Sequence, residues 1–470
     1  MDITSFSAMQ MAEHIRDKKI SPVELLQAHL IRIEKLNPRL NAYINLRTEA
    51  ALEARRAEAA VMRGDRLGPL HGIPISIKSA IAVAGSPWET GSRMRAGAVA
   101  NQDAPLVARL KAAGAIVLGT TNVPEMLMAY ETDNLLYGRS NNPWDLECTP
   151  GGSSGGESAA IAACLSAGGV GSDGGGSVRV PAHFCGICGL KPTPGRIPAT
   201  GHYPESLGPF AMIGVVGPMA RTVGDVQLMF SAMAGPDPGD TFAAPVPLRP
   251  VSQSEARRQT VGYFEEEPGY PVTPETRAAV LSAAQSLRSR GYQVVPFRPS
   301  MLPAAREFWW TMFVLTGADV LSEMFAGQQS QVSPVMKQFL TFTADTPLTK
   351  EKLLQAWFGR DLLRLQLNAE MEKVPIFLSP ACAIPAFRHG ERAWQTGNQE
   401  INYLDAMAYT QWFNLLGNPA AVVPVGKSPE GLPIGVQIVG RPYGEELVLQ
   451  VAADVEEDFG YQPPPFNQLG

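Results

Sequence analysis

Two glycine- and serine-rich stretches carry the residues best suited to do chemistry. The first reads Thr149-Pro150-Gly151-Gly152-Ser153-Ser154-Gly155-Gly156, and the second reads Gly171-Ser172-Asp173-Gly174-Gly175-Gly176-Ser177. Glycine at this density suits a backbone that must take positive φ or approach a ligand closely. A flexible linker would share the composition, but these stretches sit between apolar strand and helix patterns, where a linker would interrupt the core. A serine hydroxyl becomes a nucleophile only beside a base. The nature of that base separates the possible chemistries.

Three patterns compete. Gly169-Val170-Gly171-Ser172-Asp173-Gly174 matches the G-x-G-x-x-G of dinucleotide-binding proteins. That fingerprint opens a helix and needs an acid about 20 residues on. Here Pro181 falls early in the would-be helix and no acid follows until Glu205, so the match is one of chance. Gly151-x-Ser153-x-Gly155 and Gly152-x-Ser154-x-Gly156 both fit a nucleophile elbow, which requires an acid and then a histidine downstream. His183 and His202 follow too closely, and His389, in Phe387-Arg388-His389-Gly390, reads as a surface histidine. The third pattern uses a lysine. A free lysine titrates near ~10.4, so it can act as a base only where burial lowers its pKa. Lys78 closes the strand-like run Gly72-Ile73-Pro74-Ile75-Ser76-Ile77-Lys78 and is the candidate, although any lysine taken alone is more often a solvated charge.

The surrounding elements must hold these groups. Ser21-Pro22-Val23-Glu24 is an N-cap, a first-turn proline and a capping-box acid. Leu26, Leu30, Ile33 and Leu36 continue at helical spacing, and Asn37-Pro38 is expected to end the helix. Glu49 to Arg63 is alanine-rich and closed by Gly64. Leu106–Ala113 reads as helix and Ala115–Gly119 as a buried strand, and the alternation recurs around Ser158–Ala167 and Gly168–Gly171. This is the pattern of an α/β layer. Beyond Tyr203 the pattern blurs. Thr260–Phe264 and Tyr292–Phe297 read as strands, Thr273-Pro274-Glu275 caps a helix through Leu287, and 348–373 is a long amphipathic helix. The polar run from Arg249 to Ala256 reads as a surface linker.

Composition narrows the function classes. The chain has 470 residues, 45% hydrophobic and 18% charged, with a net charge of −6. No basic tract offers a nucleic-acid partner. No apolar window is long enough for a membrane span, and the start lacks a signal-peptide pattern, so the expected location is cytoplasmic. Five cysteines (Cys148, Cys164, Cys185, Cys188 and Cys382) do not form a disulfide framework in a chain this long. Cys185 and Cys188 stand at C-x-x-C spacing without a second ligand pair, and read as buried small residues rather than a metal site.

Taken in order, several blocks resemble the amidase-signature enzymes, which include fatty acid amide hydrolases and many bacterial amidases. Leu70–Lys78 is similar to that family's lysine strand, and Gly114–Asn122 and Asn141–Asp145 to its connecting blocks. Gly151 to Pro192 is similar to the signature itself, and Gly431–Gly440 to its closing strand. The resemblance covers about residues 20–235 and 415–457, leaving about 240–410 as a variable region expected to shape the substrate pocket. It implies one α/β domain over 1–470, a large twisted mixed β-sheet with helices on both faces. It also implies catalytic roles for Lys78, Ser153 (held by a cis peptide bond) and Ser177 as nucleophile. Backbone N–H groups of Gly174, Gly175, Gly176 and Ser177 would then form the oxyanion hole. Leu127, Met128 and Tyr130 are expected to contact the acyl group, with Trp309, Trp310 and Phe313 as a less favoured aromatic wall. Asp173 and Arg179 are expected to brace the glycine loop, and Ser154 to support it.

Two departures from the family pattern stand out: Ser79 follows the lysine where an aspartate is usual, and Gly174 replaces a larger residue, a change expected to loosen the loop. The implied activity is hydrolysis of a carboxylic amide with an apolar or aromatic acyl or amine group, with esters or carbamates as side substrates. No cofactor and no metal are implied, and the partner is a small-molecule amide. Family members are often homodimers. The rival reading is the ammonia-releasing chain of a glutamine-dependent amidotransferase. Such chains resemble Ser-Ile-Arg-Gln-Pro after the nucleophile, whereas this one has Ser177-Val178-Arg179-Val180-Pro181. A non-catalytic binding protein on the same fold is a third reading, disfavoured because all three catalytic residues are present.

Overall fold

A computed structural model describes residues 2–341 and 346–465. In chain order its strands are β1 (Tyr43–Leu46), β2 (Pro74–Lys78), β3 (Ile116–Thr121), β4 (Gly168–Asp173), β5 (Cys188–Lys191), β6 (Val215–Ala220) and β7 (Thr260–Tyr263). They continue with β8 (Gln293–Pro296), β9 (Ile376–Pro380), β10 (Ala393–Thr396), β11 (Gln399–Asn402), β12 (Ala420–Lys427) and β13 (Pro433–Gly440). Eleven of them form one sheet in the order β1-β3-β2-β4-β6-β5-β12-β13-β9-β7-β8, while β10 and β11 pair as a separate hairpin. The sheet is mixed: β2 runs parallel to β3 and β4, and β7 to β8 and β9. The joins between those groups are antiparallel.

Side chains alternate across a strand, so consecutive residues must find cover on opposite faces. Val117, Leu378, Ala421 and Val423 enter one core, packed with Leu106, Val226, Val280, Ala283, Val448 and Val451 from helices. Their neighbours Leu118, Phe377, Ala420 and Val422 enter cores on the other side, with helical residues such as Ala159, Ala182, Trp412 and Phe413. The expected α/β architecture, a mixed sheet with helices on both faces, is the one observed.

The capping box at Ser21 and Glu24 is present, but the helix it opens runs through Pro38 to Leu40 rather than stopping at Asn37. A proline so near the end removes a single intrahelical donor. Asn37 is used past the terminus, its Oδ1 accepting from the Ala42 and Tyr43 amides at 2.9 and 2.8 Å. The long helix forms as Lys350–Glu370. The expected linker instead ends in a short helix, Gln253–Ala256, with Ala256 buried in the core. Among the described residues no helix is long and apolar enough to cross a membrane.

Candidate active site

Because β2 and β4 are parallel neighbours, their carboxyl ends open at the same edge of the sheet, the edge where α/β sheets usually place ligands. Lys78 is the last residue of β2 and Asp173 the last of β4. On β2, Ile75 and Ile77 enter one core, so Ser76 and Lys78 project to the opposite face, against the buried helix Gly155–Ala162. There Lys78 Nζ lies 2.7 Å from Ser153 Oγ, 2.9 Å from Ser154 Oγ and 3.3 Å from the Ser172 carbonyl. The Gly152–Ser153 peptide is cis. Gly152 has no room for a side chain, since a Cβ would fall 2.5 Å from the Ala129 carbonyl oxygen and 2.6 Å from the Glu131 amide.

Burial drives the Lys78 ammonium down to about 7, against the opposing pull of the Asp173 and Glu157 carboxylates. Glu157 lies one helical turn beyond Ser154. Its carboxylate accepts from Ser76 Oγ and from Thr121 Oγ1, the latter at 2.8 Å. Burial pushes it up to about 7, despite those hydrogen bonds and the Lys78 charge. Asp173 behaves in the opposite way. Burial alone would raise it, but the charge and hydrogen bonds of Arg179 hold it below the usual carboxylate range. Arg179 Nε and Nη2 each lie 3.0 Å from Asp173, and Nη1 donates to Gln437 Oε1 at 2.6 Å. Asn414 Nδ2 donates to the Asp173 carboxylate at 2.9 Å and to its carbonyl at 3.0 Å.

The loop from Gly174 to Ser177 is clamped. From Cys148 to Thr193 every residue is buried except Gly174. The Asp173 carboxylate accepts from the Gly176 amide at 2.7 Å and the Val178 amide at 3.1 Å. This bears on the expected oxyanion set of Gly174, Gly175, Gly176 and Ser177. The Gly176 N–H is already committed, leaving Gly174, Gly175 and Ser177 as the amides of that set without a protein acceptor among the described residues. At Gly174, where a looser loop is expected, the space beside the backbone is filled. A Cβ there would meet Phe313 Cε2 at 2.6 Å, because the aromatic ring occupies that space. Gly176, with φ +126°, is in a conformation reserved for glycine.

Ser153, Ser172, Gly174 and Ser177 line a cavity of ≈ 100 Å³ whose apolar wall includes Met126, Phe210, Leu321 and Met324. A second cavity of ≈ 40 Å³ reaches Ser177 and Gly175 from another side, past Tyr130, Trp309, Phe339 and Leu404. Leu127, Met128 and Phe313 border both. Tyr130 borders the second and also braces the loop, its Oη donating to the Gly175 carbonyl at 2.8 Å. Trp309 and Phe313 do form an aromatic wall, whereas Trp310 borders neither cavity. Among the described residues that line the two cavities there is no lysine or arginine.

Ser154 Oγ accepts from Lys78 Nζ and donates to the Ser172 carbonyl at 3.3 Å. Ser79 is buried and its hydroxyl finds no partner among the described residues. His389 is half-buried rather than on the surface, its amide bonded to the Glu147 carbonyl. Cys185 and Cys188 are buried free thiols with separate partners, Pro150 and Ser158 for the first, Arg221 and Glu456 for the second. Sequence reasoning missed Glu157, Asn414 and Thr410, whose Oγ1 donates to the Gly175 carbonyl. Only Glu157 carried a signal, as the single charged residue in the small, apolar run Gly155–Ala162.

The Amidase family model matches residues 24–449. The chain is 34% identical to an acylamidase of Rhodococcus erythropolis over 96% of this chain and 94% of that one. It is 35% identical to the A-type chain of the glutamyl-tRNA(Gln) amidotransferase of Moorella thermoacetica, with 98% of each chain covered. The solved structure of a bacterial aryl acylamidase of the amidase-signature family superposes with a TM-score of 0.85 at 25% identity, covering 99% of this chain and 97% of that one.

Proposed function

Because the chain belongs to the amidase family of amide-bond hydrolases, we propose that it cleaves carboxylic amides bearing apolar or aromatic groups by a Ser177–Ser153–Lys78 acyl-enzyme mechanism. The observation that carries this reading is the contact of the buried Lys78 with Ser153 Oγ beside a cavity, lined mainly by apolar residues, that also reaches Ser177. A lysine lowered to about 7 is neutral in a large fraction of molecules at physiological pH and can accept a proton. In this mechanism Lys78 takes a proton from Ser153 as Ser153 takes one from Ser177. Ser177 attacks the carbonyl carbon, and the oxyanion meets the free loop amides. Each such donor is worth about 3–4 kcal/mol in the transition state. The proton returns through Ser153 to the leaving nitrogen, and water then releases the acid by the reverse relay. Esters and carbamates can follow the same route.

The 35% identity to an amidotransferase chain keeps a second reading in view, release of ammonia from glutamine for a partner protein. Glutamine carries an α-carboxylate, which calls for a cationic partner. The absence of lysine and arginine from the described cavity walls supports the apolar amide instead. The test is hydrolysis of 4-nitroanilides with graded acyl chains beside glutamine, using wild type, Ser177→Ala and Lys78→Ala. Turnover of an anilide that both substitutions lower by at least about 1,000-fold is the expected result. Turnover of glutamine alone would assign the amidotransferase chemistry.

A further inference from the structure

The blocks that carry the family motifs leave out about residues 240–410, yet part of the loop facing the substrate carbonyl is held from that variable region. Trp309 ends the helix Leu302–Trp309, and a π-helical turn, Trp310–Leu315, carries Phe313. Such turns are rare and concentrate at functional sites. The two rings stack with centroids 5.1 Å apart and 15° between planes. The indole Nε1 donates to the Gly174 carbonyl at 2.9 Å. A Cβ on Gly175 would lie 2.6 Å from Trp309 Cζ2, so the loop and the ring are in full contact.

A trans peptide is planar, with its C=O and N–H pointing in opposite directions. Anchoring one end therefore aims the other. The peptide joining Gly175 and Gly176 is held at both ends. Its carbonyl accepts from Tyr130 Oη and Thr410 Oγ1, each at 2.8 Å, and its N–H donates to Asp173. The peptide joining Gly174 and Gly175 is held at the carbonyl end alone, by Trp309, and its N–H has no protein acceptor among the described residues. We propose that Trp309 is a positioning residue of the oxyanion site: its indole N–H orients the Gly174–Gly175 peptide so that the Gly175 N–H meets the developing oxyanion. The proposal rests on the reading of Ser177 as nucleophile.

Trp309→Phe keeps an aromatic ring against Phe313 and Gly175 but removes the donor. With a 4-nitroanilide, kcat is expected to fall by about 10–100-fold, somewhat less than loss of an oxyanion donor itself, with KM within about 2-fold of wild type. Affinity for a trifluoromethyl ketone, whose hydrated or serine-bound form mimics the tetrahedral species, should fall in step with kcat/KM. Affinity for the matching unreactive alcohol should not change. Trp309→His, which restores a ring N–H, should recover part of kcat. An unchanged kcat in Trp309→Phe would overturn the proposal. So would equal weakening of ketone and alcohol together with a lowered unfolding temperature, which is the mark of a merely structural role. Labelling of wild-type Ser177 by a fluorophosphonate is run in parallel. Its absence would overturn the nucleophile assignment as well, whereas normal labelling with unchanged Trp309→Phe kinetics would sink this proposal alone.

Discussion

Lys78 and Lys191 are both fully buried, and burial takes each down to about 7, but their surroundings differ. Lys191 Nζ donates to the Pro192 carbonyl, which has no proton to give. Lys78 Nζ faces two hydroxyls, so a neutral Lys78 has something to deprotonate. With Lys78 as the base, kcat/KM should rise with pH and level off above about 7, because below that value the amine holds its proton and is lost as a base. The charged and titratable groups around it are Glu157 from the Gly155–Ala162 helix, Asp173 at the end of β4, and His202 across the cavity. Glu157, when ionised, stabilises protonated Lys78. Glu157→Gln removes that stabilisation, so the acid limb of the kcat/KM profile should move to lower pH. A limb that stays in place or moves up would contradict the assignment. As Glu157 also sits at about 7, the wild-type limb belongs to the pair rather than to either group.

Among the elements, the turn from β4 into the helix Arg179–Cys185 is braced by an ion pair. Both Asp173 and Arg179 are withdrawn from solvent, and Gln437 from β13 and Asn414 from the Ala408–Leu416 helix complete the network. Removing one partner of such a pair leaves an uncompensated buried charge. Asp173→Asn should therefore cost about 3–5 kcal/mol of stability, measured by urea unfolding. A loss near zero would mean that the network does not hold the loop. Asp173 and Arg179 were legible as loop braces from their place in the glycine stretch, but their partners more than 230 residues away were not. Local signals fared similarly elsewhere. The apolar alternation ending at Lys78 gave β2, and Gly64 marked a helix end with φ 77°. Pro38 misled, because a proline in a last turn breaks little.

At the scale of the whole molecule, the sheet joins two kinds of sequence. Lys78, Ser153 and Ser177 come from blocks whose residue types announce their chemistry, and their grouping at one sheet edge follows from two parallel strands. The cavity walls draw on Phe313, Leu321, Phe339 and Leu404 from the variable region, where helices read as ordinary amphipathic segments. An aromatic residue at helical spacing looks the same whether it packs in a core or faces a substrate. Only the tertiary contacts of Trp309 and Phe313 with Gly174 and Gly175 set them apart. The whole account turns on Ser177 being the nucleophile that Lys78 activates. The most direct measurement is the site and rate of covalent labelling by a fluorophosphonate, located by peptide mass mapping. The account predicts a single adduct on Ser177, absent in Ser177→Ala and formed far more slowly in Lys78→Ala. An adduct on Ser153 or Ser154, or no adduct from a preparation that still hydrolyses an anilide, would contradict it.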